Sequence, residues 1–128
     1  MSATEFPLVM KGICEENLED LRTLNRALFP INYTERVYAD ILACGDVSQL
    51  AYDAEGHLVG GIGCRLENTP QGPMLYVLTL GVLAPYRGQG IGRRLLRATL
   101  EVVRECLPEV TYSRLHVQVG NETALRLY

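Results

Sequence analysis

The chain predicts a mixed α/β (α+β) domain on three observations. Met74–Leu83 is apolar at nearly every position, the 91–106 stretch repeats its apolar residues at helical spacing, and the strand-length segments before them are separated by turns carrying glycine or proline. At 128 residues, 48% of them hydrophobic and 21% charged, the sequence suits one domain with one core and argues against disorder.

Taken in order, Leu8–Ile13 reads as a first strand. Over Glu16–Leu28, Leu18, Leu21, Leu24 and Leu28 recur with helical spacing, and Phe29-Pro30 stops that helix because a residue before proline avoids helical geometry. Thr34–Cys44 reads as a second helix, with Thr34 as its N-cap and Gly45 just past its end. Strands over Leu50–Tyr52 and Leu58–Leu66 are joined by the turn Asp53-Ala54-Glu55-Gly56, and Asn68–Gly72 makes the next turn. Met74–Leu83, interrupted only by Thr79 and Gly81, suits a strand covered on both faces in the middle of a sheet.

Ile91–Cys106 is the clearest helix. At about 100° per residue, Ile91, Leu95, Leu96, Ala98, Thr99, Val102, Val103 and Cys106 share an arc of about 160°, with Arg93, Arg94, Arg97, Glu101, Arg104 and Glu105 opposite. Tyr112–Val119 alternates, with Leu115, Val117 and Val119 on one face and Arg114, His116 and Gln118 on the other. Asn121 then caps a last helix that is still apolar where the sequence ends at Tyr128. One domain over residues 1–128 is expected, incomplete at its C-terminal end.

Composition excludes several classes. A net charge of −3 gives no reason to expect direct nucleic-acid or membrane binding. Cys14, Cys44, Cys64 and Cys106 form no C-x-x-C pair, and only His57 and His116 could join them, so no metal site is expected and buried free thiols are. Free thiols fit a reducing, cytoplasmic compartment. Met1–Pro7 lacks the basic start and apolar stretch of a signal peptide, and no apolar run approaches the roughly 18–20 residues that span a bilayer, so a soluble protein is expected.

The strongest motif is Arg87-Gly88-Gln89-Gly90-Ile91-Gly92, between the buried strand and the amphipathic helix. Glycines there let the backbone bend and approach a ligand, and their N–H groups join the helix N-terminus in a nest for anionic oxygens. Arg87, Arg93 and Arg94 add positive charge suited to a pyrophosphate. Read without further context, the stretch is also compatible with a glycine-rich turn beside solvated arginines. It is not a Walker A loop, having no G-K-[ST] ending. Nor is it a Rossmann fingerprint, because arginine stands at position 93 where that pattern needs glycine.

The same six residues match the R/Q-x-x-G-x-G/A signature of the GNAT acetyltransferases. The run Leu75-Tyr76-Val77-Leu78-Thr79-Leu80-Gly81-Val82-Leu83-Ala84-Pro85-Tyr86-Arg87 resembles the NatE-type catalytic subunits of that superfamily. So do Phe29-Pro30-Ile31-Asn32-Tyr33, Leu115-His116-Val117-Gln118 and Asn121-Glu122-Thr123-Ala124, all in the same order. The resemblance implies a GNAT fold: a mixed, mostly antiparallel central sheet with helices on both faces, here without its C-terminal strands.

It also implies a chemistry. Acetyl-CoA is the cosubstrate, its pyrophosphate held by Arg87, Gly88, Gln89, Gly90, Ile91 and Gly92 and its pantetheine by main-chain groups of Leu78, Leu80 and Val82 beside a bulge in the central strand. Asn121 would bond the pantetheine arm and Tyr128 approach the thiolate sulfur. His116 would be the general base, since histidine titrates near 6.5 and an α-amine at about 7.7–8.0 needs little help. Tyr76 would orient the relaying water or the amine, and the Leu78 N–H would hold the oxyanion. Phe29, Pro30, Ile31 and Tyr33, with Leu78, would receive the first residue of the acceptor, an initiator methionine. The partners implied are protein N-termini or nascent peptides and a larger N-terminal acetyltransferase complex. Two alternatives stay open at this point: a lysine or small-amine acetyltransferase of the same fold, and a non-catalytic CoA-binding subunit.

Overall fold

The computed structural model describes residues 5–29 and 32–115. Five strands form one sheet in chain order: β1 (Val9–Gly12), β2 (Gln49–Tyr52), β3 (Leu58–Thr69), β4 (Gly72–Val82) and β5 (Tyr112–Leu115). Every neighbouring pair is antiparallel except β4 and β5, which run parallel across a connection that contains a helix. That is the mixed, mostly antiparallel sheet expected.

Among the described residues three α-helices cover it. α1 (Leu18–Leu28) and α2 (Glu35–Ala43) pack on one face through Leu21, Leu24, Tyr38 and Ile41, and α3 (Ile91–Cys106) packs on the other through Ile91, Leu95, Leu96 and Val103. The local reasons are those legible in the chain. Thr34 caps α2, its hydroxyl accepting from the Val37 N–H at 3.3 Å, a contact of about 1 kcal/mol. Gly45 leaves α2 at φ +59, where a side chain would be strained. Phe29 ends α1 in extended geometry ahead of Pro30.

Some boundaries move. β3 and β4 run further than expected, closing the hairpin over Pro70-Gln71 with Gly72 at φ +109, so most of Asn68–Gly72 is strand rather than turn. Only Cys64 of the four thiols is buried; Cys14 and Cys106 are exposed and Cys44 is half-buried. Cys106 falls in the last turn of α3, beyond the sheet's cover, where apolar spacing alone does not ensure burial. Among the described residues no helix is long and apolar enough to cross a membrane, and no group of three His, Cys, Asp or Glu side chains stands together to hold a metal.

Candidate active site

β4 is the element that organises the site. Its register against β3 pairs Gly63 with Thr79 but Cys64 with Val77, leaving Leu78 as an extra residue: a β-bulge. The bulge interrupts the alternation of side chains. Leu75, Val77, Leu80 and Val82 pack towards α3, whereas Tyr76 and Leu78 pack towards α1 and α2. Thr79 joins them there, because a Cβ added at Gly63 would stand 2.7 Å from Thr79 Oγ1 and 3.1 Å from Ile41 Cδ1. Beside the bulge the hydroxyl of buried Ser48 receives the Cys64 N–H at 2.8 Å, satisfying a strand group where the ladder slips.

Main-chain directions follow from the pairing. The Leu83 N–H donates to the Val59 carbonyl of β3 at 2.9 Å. Alternation along an antiparallel ladder then turns the main-chain groups of Val82, and of Leu80 two residues back, away from β3. This is the side on which β5 pairs with Met74–Val77 further down the strand. The Val82 carbonyl is met there by Arg87, whose Nε donates to it at 2.9 Å. The main-chain groups of Leu80 and Val82, rather than their side chains, therefore face that side of the sheet.

Beyond β4 a single tight turn, Ala84–Tyr86, leads into Arg87 and the glycine loop. Gly88 and Gly90 sit at φ +81 and +76, and a Cβ at either would meet nothing within 4 Å, so the loop combines left-handed turns with open space. Gly90 is the N-cap of α3 and brings no side chain to bond the first-turn N–H groups. Ile91, 2% exposed, anchors the start of the helix in the core. An anionic group fits this arrangement: free helix-end amides, no capping carboxylate, and the exposed Arg87 and Arg93 close by. Arg94 has a different task. It donates to the Phe6 carbonyl at 2.6 Å and pairs with Glu5 at 3.7 Å, tying the segment before β1 across α3, while Phe6 packs edge-on against Tyr86.

Phe29 and Tyr33, on either side of Pro30-Ile31, lie on the same side of β4 as Leu78. Phe29 is buried and meets Tyr33 edge-to-face at 6.2 Å, and Tyr33 meets Tyr38 at 6.5 Å. Tyr38 is held by Asn25 Nδ2 at 3.3 Å and by the Arg22 guanidinium 4.5 Å from its ring centre. Arg22 also binds Glu35, donating to Oε1 at 2.8 Å, and so ties α1 to α2; its guanidinium holds the Glu35 carboxyl below the usual range. A Cβ at Gly81 would stand 2.5 Å from Leu28 Cδ1 and 3.5 Å from the Phe29 ring, so any larger residue there would have to displace the end of the Leu28 side chain.

Tyr76, Leu78, Tyr33 and the end of α1 are thus gathered on one side of β4, with the glycine loop at the strand's far end. Pro30, Ile31, His116, Asn121 and Tyr128 lie outside the described residues; His116 follows directly on Leu115, which pairs with Val77. Two features escaped sequence reasoning. Gly60, Gly61 and Gly63 of β3 leave room for the Gly81 carbonyl, for Leu24 and Leu50, and for Thr79; the G-G-x-G spacing inside a strand was the available signal. Arg65 and Arg114 flank Tyr76 on the two neighbouring strands, a juxtaposition that only the register reveals.

Comparison with known proteins agrees with this geometry. Residues 18–128 match the acetyltransferase (GNAT) family. N-alpha-acetyltransferase 50 of Danio rerio is 37% identical over 127 residues, covering 93% of this chain and 73% of the relative. The probable N-acetyltransferase san of Drosophila melanogaster is 32% identical over 127 residues, covering 98% and 67%. Among solved structures, Arabidopsis thaliana Naa50 in complex with the bisubstrate analogue CoA-Ac-MVNAL superposes with a TM-score of 0.79 at 42% identity, over 94% of this chain and 79% of that one. Arabidopsis thaliana NAA60 in complex with acetyl-CoA gives a TM-score of 0.74 at 26% identity, over 94% and 83%.

Proposed function

Because the chain belongs to the acetyltransferase (GNAT) family, on the branch of the N-alpha-acetyltransferases, we propose that it transfers acetyl from acetyl-CoA to the α-amine of proteins and peptides beginning with methionine. The observation that carries this reading is the bulge at Leu78 in a strand that leads, through the Ala84–Tyr86 turn, to an α3 N-terminus whose cap has no side chain. A loop that binds diphosphate at one end of β4 aims an extended thiol-bearing arm along the strand, and the bulge is where its thioester would arrive.

The chain's own groups then have distinct tasks. The amides of Gly88–Gly92 and the charge of Arg87 hold the diphosphate. Main-chain groups of Leu80 and Val82, turned from β3, bond the arm as a neighbouring strand would. Asn121 supports the arm and Tyr128 the sulfur. Phe29, Pro30, Ile31 and Tyr33, with Leu78, form an apolar seat for the methionine side chain. Tyr76 orients the amine or its relaying water, and His116 takes the proton as nitrogen attacks the thioester carbonyl. The Leu78 N–H donates to the oxygen on which charge develops. Bond formation between nitrogen and the acetyl carbon is matched by loss of thiolate, whose basicity, near that of cysteine at about 8.5, makes it a ready leaving group. The acceptors are protein N-termini in the cytoplasm, nascent ones included, met alone or within a larger N-terminal acetyltransferase complex.

The test is acetyl transfer to a short panel: a Met-starting peptide, the same peptide with a blocked N-terminus and a free lysine, and a small diamine. Transfer to the first alone is expected. Transfer to the blocked peptide at comparable kcat/KM would assign the site to lysine instead.

A further inference from the structure

The sheet face that carries Tyr76 continues towards the β3–β4 turn as a polar surface. The cross-strand register places Arg65, Tyr76 and Arg114 in one row and Glu67, Met74 and Tyr112 in the next. An open pocket of about 370 Å³ occupies the second row, lined by Glu67, Thr69, Gln71, Met74, Tyr112 and Arg114. Its floor is buried Met74, and at its end the hydroxyls of Thr69 and Tyr112 are hydrogen-bonded to each other.

The charges around this pocket do not balance. Arg65 is committed to Glu67, its NH2 and Nε lying 2.7 and 3.0 Å from one carboxylate oxygen, and its guanidinium sits 5.5 Å from the Tyr76 ring centre. Asp40 lies between Arg65 at 3.6 Å and Arg36 at 3.7 Å. Two carboxylates thus answer two guanidiniums. Arg114, exposed beside Tyr76 on the neighbouring strand, has no ion-pair or hydrogen-bond partner among the described residues.

We propose that Arg114 and this pocket form a specificity subsite for an acidic side chain at the second or third residue of the acceptor peptide. The inference rests on the reading that the α-amine reacts at Tyr76. Met74 stands two residues from Tyr76, about 6.6 Å along a strand, and an extended peptide covers about 3.3 Å per residue, so a chain leaving Tyr76 in this direction sets residue two or three over the pocket. A carboxylate there gains a guanidinium that can bind it through two N–H groups, with the Gln71 amide and the hydroxyls of Thr69 and Tyr112 on the same rim. Met74 supports its methylenes. A basic side chain meets only Glu67, whose charge Arg65 already answers.

The experiment measures kcat/KM on Met-starting peptides with Asp, Glu, Ala or Lys at position two, and the same set at position three, for the wild-type chain, Arg114→Gln and Arg114→Glu. The wild type is expected to favour acidic over lysine peptides by about two- to fivefold, the range of an exposed ion pair, with the difference in KM and shrinking at high salt. Arg114→Gln should remove the preference and Arg114→Glu reverse it. The proposal is overturned if the wild type ranks acidic and lysine peptides equally, or if Arg114→Glu keeps the wild-type ranking; either leaves the acetyltransferase reading standing. Failure to acetylate any Met-starting peptide removes that reading and this subsite with it.

Discussion

The two faces of the sheet are built on different principles. Towards α3 the packing is almost wholly apolar: Val59, Ile62, Cys64, Leu75, Val77 and Leu80 meet Ile91, Leu95, Leu96 and Val103. Its buried polar ties are few: the Thr99 hydroxyl donates to the Val47 carbonyl at 2.6 Å, and the Ser48 hydroxyl accepts the Cys64 N–H at 2.8 Å. Towards α1 and α2 the packing is aromatic and threaded with polar groups. Tyr38 is bonded to Asn25, Tyr52 donates to Asp20 at 2.6 Å, and Arg22 spans Glu19 and Glu35. Burial and the Asp20 carboxylate together push the Tyr52 hydroxyl well above its ordinary range, so it stays a neutral donor. The first face holds the strand in place by apolar packing; the second is tied together by hydrogen bonds and ion pairs as well. β4 serves both because its bulge lets Tyr76, Leu78 and Thr79 face the second side while Leu75, Val77 and Leu80 stay with the first.

This division can be broken from either side. The largest effect is expected on the face that carries Tyr76. Tyr76→Phe should lower kcat by about 10²- to 10⁴-fold, the usual range for a group that manages a proton, with acetyl-CoA affinity by calorimetry and the melting temperature nearly unchanged. A parallel loss of affinity would make Tyr76 a structural residue. Next comes the α3 face. Leu95→Ala empties a fully buried position and should cost about 2–5 kcal/mol in a denaturant melt while leaving kcat/KM near wild type at low temperature. A kinetic defect larger than the stability loss would mean that the two faces are coupled through β4.

The smallest effect belongs to the β2–β3 turn, remote from both faces. Asp53 accepts the N–H groups of Glu55 and His57 at 2.9 Å each and meets His57 Nδ1 at 3.0 Å. Those bonds, the His57 N–H first, lower the Asp53 carboxyl, and the same contact raises the His57 imidazole. The Asp53 contribution is present above the ordinary carboxyl value of about 3.9 and fades as pH falls through the lowered one; the His57 contribution is present below about 6.5 and fades as pH rises through the raised one. The turn is therefore firmest between those limits. Asp53→Asn should bring the His57 ring back to its ordinary titration, read by proton NMR, with no change in transfer. An unmoved His57 midpoint would show that the contact does not form in solution.

Much of this organisation could be read from the chain, and the exceptions have physical causes. α3 spans Ile91–Cys106 as its apolar arc required, and the Thr34 cap and the stop at Phe29-Pro30 act through their nearest neighbours. Such local signals survive translation from sequence to structure. The bulge was different. Residues 74–80 are all buried or half-buried, so an extra residue leaves no break in the apolar pattern, and only the family resemblance pointed to it. Gly81 shows the limit in another way: the sequence marks it only as a break in the apolar run, and the neighbour it makes room for, Leu28, lies on a helix distant in the chain. The Arg65–Tyr76–Arg114 row needed the pairing of strands distant in sequence, which no periodicity carries.

The order of the sheet has a consequence for how the molecule comes into being. Since the strands lie side by side in the sequence in which they are written, none has to be threaded between two partners that have already met. The β2–β3–β4 meander closes through short turns at little loop-closure cost, whereas β1 reaches β2 only across α1 and α2, and β5 reaches β4 only across α3. β4 is therefore cheap to close along its β3 flank and costlier along its β5 flank, where α3 has to be spanned first.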